Sequence, residues 1–371
     1  MHVMIPIAGD PRSPRPSGII NYVRGLGSYL ARQGIPTEYL GTGPAHREGL
    51  LSYTSILARA RGEVAFCRKL EKHLSRTQIR RDTVIVANSE LYAWAFRKTH
   101  TPAIVLVAHG PMYPTLRSRR PIAAITFRKL VEPAAIDLVR VLVAIDDETA
   151  TYFARNYPQT IVRKIPLAID LTKFTPINHG LAKERLGLSG RAVLLFVGRL
   201  AVEKDPELAI DVYDALHERQ PDTTLIVAGS GPLESRVRKN VASRKRRVDI
   251  RLVGAVRREE LPLLYSAADA LLVTSELEQS PSVVWEALSC GTPVFATASG
   301  ELPLVLSEPT LGRTVPHSRE ALVSVLLRYF PENDLERAKY ELPRRHEAAR
   351  RSWDQIGPEF IKVLHEALAS V

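Results

Sequence analysis

Cysteine is nearly absent: Cys67 and Cys290 are the only two in 371 residues. So few exclude a disulfide framework and a cysteine-built metal centre. No uncharged apolar run reaches membrane-crossing length. The opening stretch, MHVMIPIAGDPRSP, is apolar over too few residues for a signal peptide and is broken by Gly-Asp-Pro. A cytoplasmic location is therefore the expectation. Aromatic residues make up only 6%. The densest basic block, RVRKNVASRKRRVDIR, has eight basic residues between Arg236 and Arg251 and no ring for base stacking. Nucleic acid is accordingly not expected as a partner. No low-complexity tract or short-period repeat occurs.

Positive charge is plentiful. With 51 Lys and Arg against 40 Asp and Glu, the net charge is +11, which favours an anionic partner such as a phosphorylated small molecule or a membrane. The block from Arg236 to Arg251 reads as a solvated helix face. A second segment, LRSRRPIAAITFRKLVEP (Leu116 to Pro133), mixes arginines with Ile, Phe and Leu. It reads either as an amphipathic piece lying on a membrane surface or as a basic loop feeding a helix. A peripheral position at the inner membrane face is the matching expectation.

The length suits two domains. Short apolar runs alternate with longer helical stretches, the pattern of an α/β protein with parallel sheets. The first half offers HVMIPIA, TVIVAN, AIVLVAH and VRVLVAI; the second offers VLLFVG, TLIVAG, DIRLVG, ALLVTS and PVFATA. None alternates, as expected of strands covered on both faces. A junction fits IPLAIDLTKFTPINHG, Ile165 to Gly180, giving domains 1–172 and 173–348 and a closing segment 349–371.

Ligands of open α/β sheets bind beyond the carboxyl ends of the strands, so the residues after each strand matter most. In the second half these are Gly198-Arg199, Gly229-Ser230-Gly231, Gly254-Ala255 and Ser275 to Glu278. In the first half they are His109-Gly110 and the loop GDPRSPRPSG, which ends at Gly18. Arg199 and Lys204 suit a diphosphate, the arginine as a fork and the lysine as a point charge; the alternative is two solvated loop charges. In SELEQSPSVVWEALSCGTPV, Ser280 is the expected N-cap, Pro281 the first helical residue and Gly291 the left-handed exit. Glu286 then lies about 9 Å into the helix, placed for a ribose diol, while Glu278 stays on the preceding loop. The aspartates of IDDE (Ile145 to Glu148) read as turn and cap residues, and no metal site is expected.

These pieces, with GIINYVRGLGSYLARQG, IPLAIDLTKFTP, FVGRLAVEKDPELAI, LIVAGSGPLESRVRK and IRLVGAVRREELPLLYSAADALLVTS, resemble the retaining glycosyltransferases of family 4. The Glu278-to-Glu286 spacing followed by ALSCGTPV carries the most information. The resemblance implies a GT-B architecture of two Rossmann-like domains facing across a cleft, with a C-terminal helix crossing back to the first. It implies that Glu286 holds the ribose of a nucleoside-diphosphate sugar and that Arg199 and Lys204, near Gly198, hold the diphosphate. Glu278 and the backbone of Gln279, Ser280, Pro281 and Ser282 would face the sugar, with His109 reaching it and Gly18 near the phosphates. Backbone from Leu252 to Gly254 and Ala255 would flank the base. A hexose, from GDP-mannose with slight preference or from a UDP-sugar, would pass with retention to a hydroxyl of a glycan, lipid or small molecule. Fixed cations would replace a metal, and no cofactor is implied.

The chain departs from the family at Leu167-Ala168 (often Asn-Gly), Asp205 (often Gly), Ser280-Pro281 (often Phe-Gly) and Leu304 (often Glu). Rival readings are a sugar-nucleotide epimerase or phosphorylase of the same fold, or a non-catalytic nucleotide-sugar or polyanion-binding protein.

Overall fold

Every apolar run named above forms a strand. In the computed structural model β1 (His2–Pro6), β2 (Thr37–Thr42), β3 (His46–Glu48), β4 (Leu51–Leu57), β5 (Thr83–Ala87), β6 (Ala103–Ala108), β7 (Val141–Ala144) and β8 (Ile161–Lys164) form one sheet. Its order is β3-β4-β2-β1-β5-β6-β7-β8. A second sheet holds β9 (Ala192–Val197), β10 (Thr223–Ala228), β11 (Ile250–Gly254), β12 (Ala270–Val273), β13 (Val294–Thr297) and β14 (Gly312–Val315), in the order β11-β10-β9-β12-β13-β14. All neighbours are parallel except the β3/β4 pair. The structure describes residues 1–10, 12, 13, 18–57, 62–99, 103–119, 121–244, 247–276, 278, 281–330 and 334–370.

Five strands lacked an apolar run: β2, β3, β4, β8 and β14. β3 (HRE) and β8 (IVRK) lie at sheet edges, where one face and one ladder meet water. Polar residues are tolerated there, so the hydrophobic signal fades. β5 and β6, by contrast, are buried at every position.

The chain divides into two units, Met1–Ala168 with Trp353–Val371, and Ile169–Ser352. These divisions stand at 168 and 352 where the sequence boundaries stood at 172 and 348. Ile169 N–H donates to the Arg351 carbonyl at 2.8 Å and the residue bridges Ser352, so the chain enters and leaves the second unit side by side. The closing helix, Trp353–Ala369, packs on the helix Gly18–Arg32 and on the first sheet. Trp353 lies 5.2 Å from Tyr22 and 6.0 Å from Tyr29, ring to ring. A Cβ at Gly25 would fall 2.3 Å from the Trp353 indole nitrogen, so only glycine permits this approach.

Both basic segments are largely helical among the described residues. The helix Glu234–Ser243 exposes Arg236 and Arg238, paired with Glu207 and Glu234, and Arg244 bridges Asp211 and Asp214. That is a solvated, ion-paired face. The Leu116 segment lies in the helices Met112–Arg119 and Pro121–Thr126 and a π-turn, Phe127–Val131.

Candidate active site

In each sheet the chain first builds strands to one side of a central strand, then crosses to the other. In the second unit β9 is central, with β10 on one flank and β12 on the other. Such a reversal opens a crevice at the carboxyl ends of the two strands. The loop after β9 carries Arg199 and Lys204, and the loop after β12 carries Glu278.

Hydrogen bonds lace these loops together. Thr274 Oγ1 donates to the Lys204 and Asp205 carbonyls at 2.9 and 2.8 Å. Glu276 N–H donates to the Glu203 carbonyl at 3.1 Å. Thr297 Oγ1 reaches the Ser275 carbonyl at 2.6 Å, and Ser299 Oγ accepts from the Glu278 N–H at 2.8 Å. The Lys204 ammonium contacts a Glu278 carboxylate oxygen that also accepts from Ser275 Oγ at 2.8 Å. Glu278 is buried and Lys204 half-buried. Arg199 stands 58% exposed, its guanidinium 3.7 Å from Glu203.

Asp205 follows Lys204 where the family often has glycine, and it takes the left-handed conformation open to glycine, with φ +40°. Aspartate visits that region more readily than most residues. Its carboxylate also caps the helix Pro206–His217 by accepting from Leu208 N–H at 3.1 Å and lies 3.3 Å from His317.

On the other flank the loop after β10 presses against the loop after β9. A Cβ on Gly229 would lie 1.8 Å from the Gly198 carbonyl oxygen. Gly229 N–H donates to the Gly254 carbonyl at 2.8 Å, and Gly254 has φ +70°. Thus Gly198 and Gly254 form one glycine-lined rim with half-buried Ala255 beside it.

The helix expected to open at Ser280-Pro281 spans Ser282–Ser289, with Pro281 at its N-cap in an extended conformation. The helix therefore starts one residue later than expected, because the fixed φ of proline serves the extended cap as well as the first helical position. Glu286 consequently lies about 7.5 Å beyond the N-cap, one residue's rise closer than the predicted 9 Å. Gln279 and Ser280 fall outside the described residues. Ser282 is half-buried, and Gly291 takes the expected left-handed exit at φ +79°.

Glu286 is 2% exposed. Its carboxylate accepts from Tyr265 Oη at 3.0 Å and lies 3.5 Å from the Arg258 guanidinium. Burial pushes the carboxyl upward; Arg258 and the Tyr265 and Ser282 hydroxyls pull it back. Arg258 stacks 4.7 Å above the Phe174 ring. Its Nη1 is buried without a hydrogen-bond partner among the described residues. Sequence reasoning passed over Arg258 and Tyr265: both lie beyond β11, and Arg258 looked like one more cation in a basic chain.

In the first unit β1 is central, between β2 and β5. Gly18 opens the helix Gly18–Arg32, exposed, with free space where a Cβ would stand. His109, after β6, packs edge-on against Tyr22 at 5.0 Å. Its Nε2 pairs with Asn88 Oδ1 at 3.0 Å, while Asn88 Nδ2 donates to the Val86 carbonyl. Those partners make Nε2 the protonated nitrogen and leave Nδ1 as an acceptor. Burial pushes His109 down to about 4, so it is neutral at physiological pH. Nearby Glu90, on the helix after β5, is pushed up to about 7 by burial, with the Met112 N–H pointing at its carboxylate. Asn88 and Glu90 follow a buried strand, the signal that drew attention to His109. Past β7, Asp146 caps the helix Asp147–Asn156 by accepting from Thr149 N–H at 2.7 Å, and Asp147 pairs with Lys164 at 2.8 Å. A groove of about 620 Å³ opens here, lined by Pro111, Glu148, Thr151, Tyr152, Arg155 and Asn156 among others.

Against this geometry, residues 181–341 match the family model "Glycosyl transferases group 1". The matched residues lie within the second unit. A D-inositol 3-phosphate glycosyltransferase of Salinispora arenicola is 32% identical over 229 residues, covering 57% of this chain and 51% of the relative. The matched region thus spans about half of that relative's length. A protein of the same name from Corynebacterium jeikeium is 28% identical over 98% of this chain and 85% of its own. Among solved structures, sucrose-phosphate synthase of Thermosynechococcus elongatus aligns with TM-score 0.83 at 20% identity, over 100% of this chain and 99% of that one. Anabaena HepE in complex with UDP-glucose aligns with TM-score 0.74 at 16% identity, over the full length of both chains. The two parallel sheets have the α/β arrangement of GT-B glycosyltransferases. Among the described residues no three His, Cys, Asp or Glu side chains cluster as metal ligands, and no helix is long and apolar enough to cross a membrane.

Proposed function

We propose that the protein is a retaining glycosyltransferase that moves a hexose from a nucleoside-diphosphate sugar to an acceptor hydroxyl without a metal. The observation that carries this reading is the Lys204–Glu278 pair at the strand reversal of the second sheet, with Arg199 on the same loop as Lys204. Cleaving a sugar from its diphosphate builds negative charge on the leaving oxygen. Lys204 and Arg199 supply fixed positive charge there, and the N-terminus of the helix Ser282–Ser289 adds its dipole. Glu278, tied to Lys204 and Ser275, offers its remaining acceptor capacity to sugar hydroxyls. Glu286 takes the ribose end, with Arg258 and Tyr265 holding its carboxylate. In the first unit the neutral His109 offers an Nδ1 acceptor of the kind a sugar hydroxyl needs, and Gly18 leaves open space at the start of its helix. Gly198, Gly254 and Ala255 border the base, and backbone at Pro281 and Ser282 faces the sugar.

With no side chain assigned as nucleophile, the acceptor attacks on the side the diphosphate leaves, and the departing phosphate oxygen takes the proton. HepE with UDP-glucose favours a UDP-sugar over GDP-mannose as donor. The groove beside Glu148 and Asn156 is the acceptor site in this reading, and the relatives' names put D-inositol 3-phosphate first among acceptors to try, ahead of glycans and lipids.

The test is a thermal-shift series with UDP, GDP and ADP and their hexose conjugates, with and without EDTA, followed by transfer of labelled sugar. A nucleoside diphosphate should raise the melting temperature, and transfer should survive chelation. No shift with any of them removes the reading. Glu286→Ala should weaken nucleotide binding; unchanged binding removes Glu286 from the site.

A further inference from the structure

We infer that the segment Pro121–Val131, with the basic stretch that precedes it in sequence, docks the first unit on an anionic membrane surface. Ala124 and Phe127 are buried and hold one face of the segment against the unit. The opposite face carries Ile122, Ile125 and Leu130, which are 83%, 53% and 67% exposed, with Lys129 exposed among them. Single exposed aliphatics are ordinary, but three on one short helical face with a cation between them are not.

Charge selects the partner. From Met112 to Val131 there are five basic residues, Arg117, Arg119, Arg120, Arg128 and Lys129, and no acidic one. Arg128 is occupied within the unit: it donates to Tyr157 Oη at 2.6 Å and Asn156 Oδ1 at 2.7 Å and pairs with Glu132 at 3.3 Å. The other four flank the aliphatic residues in sequence. Aliphatic side chains that enter the acyl boundary, edged by lysine and arginine that stay with the headgroups, match an anionic bilayer. A second copy of the chain would bring two like-charged faces together. A nucleic acid would answer the charge but give Ile122, Ile125 and Leu130 nothing to bury against.

The Arg128 bonds fasten the segment to the helix Asp147–Asn156, so the face is presented on a fixed support. The same helix supplies Thr151, Tyr152, Arg155 and Asn156 to the groove, which puts the membrane-facing segment and the groove on neighbouring elements of one unit. None of these residues belongs to the donor site of the second unit.

Flotation of the full chain with vesicles of phosphatidylcholine alone, and of phosphatidylcholine mixed with phosphatidylglycerol, tests it. Binding should be at least about tenfold stronger to the anionic vesicles and should weaken with salt. The triple variant Ile122→Ser, Ile125→Ser, Leu130→Ser keeps every charge and should lose about tenfold or more of that binding. An unchanged melting temperature shows that it folds. Equal binding to both vesicle types, undiminished binding by the folded triple variant, or a concentration-dependent dimer abolished by these changes would overturn the inference.

Discussion

The two units build their carboxyl edges from the same kind of sheet and treat charge in opposite ways. In the second, charged groups are kept by pairing: Lys204 with Glu278, Arg258 with Glu286. In the first, burial removes charge: His109 is held down to about 4 and Glu90 up to about 7. One edge keeps its charges in pairs; the other holds its polar groups close to neutral. A strand reversal therefore supplies a crevice, and the few side chains around it decide its electrostatic character.

The largest test of this contrast is removal of the cation nearest the reversal. Lys204→Ala should cut turnover about 10²- to 10³-fold, as loss of one preorganised charge does elsewhere. Arg199→Ala, at an exposed position, should cost about tenfold, since solvent screens its charge. Steady-state kinetics decide between these, and an Arg199 effect equal to that of Lys204 would reject the ranking.

Next comes Arg258→Met, which leaves Glu286 buried without its cation and should cost about 3 kcal/mol of stability. Adding Glu286→Gln removes the stranded charge and should recover most of the loss. Urea midpoints of the single and double variants test this, and a double variant no better than the single would show that Arg258 acts by packing on Phe174 alone.

In the first unit the two shifted groups oppose each other with pH. His109 has a lowered folded pKa, so the unfolded chain binds a proton first and stability falls as pH drops from about 6.5 toward 4. Glu90 has a raised one, so its stabilisation is full below about 4.5 and is lost as pH rises toward 7. Glu90→Gln should therefore add roughly 1–3 kcal/mol near neutrality and steepen the fall on acidification. Urea midpoints across this range give the answer; an unaltered slope would show that Glu90 is not buried as a neutral acid.

The smallest effect is expected at Asp205. Asp205→Gly relieves the left-handed backbone but loses the cap, so the change should stay within about 0.5 kcal/mol, while Asp205→Ala suffers both penalties and should lose about 2 kcal/mol. Equal losses in the two would deny a role to the backbone conformation.

The central strands were legible because burial on both faces demands unbroken apolar runs, and so were the loops that follow them. β3 and β8 were not, because an edge strand needs no such run. Arg199, Lys204, Glu278 and Glu286 could be listed from sequence, but their pairings could not. Lys204 meets Glu278 only because β9 and β12 are neighbours, and Arg258 finds Glu286 only across a helix packing.

By itself, the sequence determined the α/β class, the turn punctuation at Gly291 and the residues available at the strand ends, because these depend on local sterics and on the period of apolar residues. Only the tertiary structure decided which charges are neutralised by partners, which are suppressed by burial, and that Asp205 adopts a glycine-like conformation. Those outcomes depend on distance and solvent access between residues far apart in the chain, and no local pattern encodes either quantity.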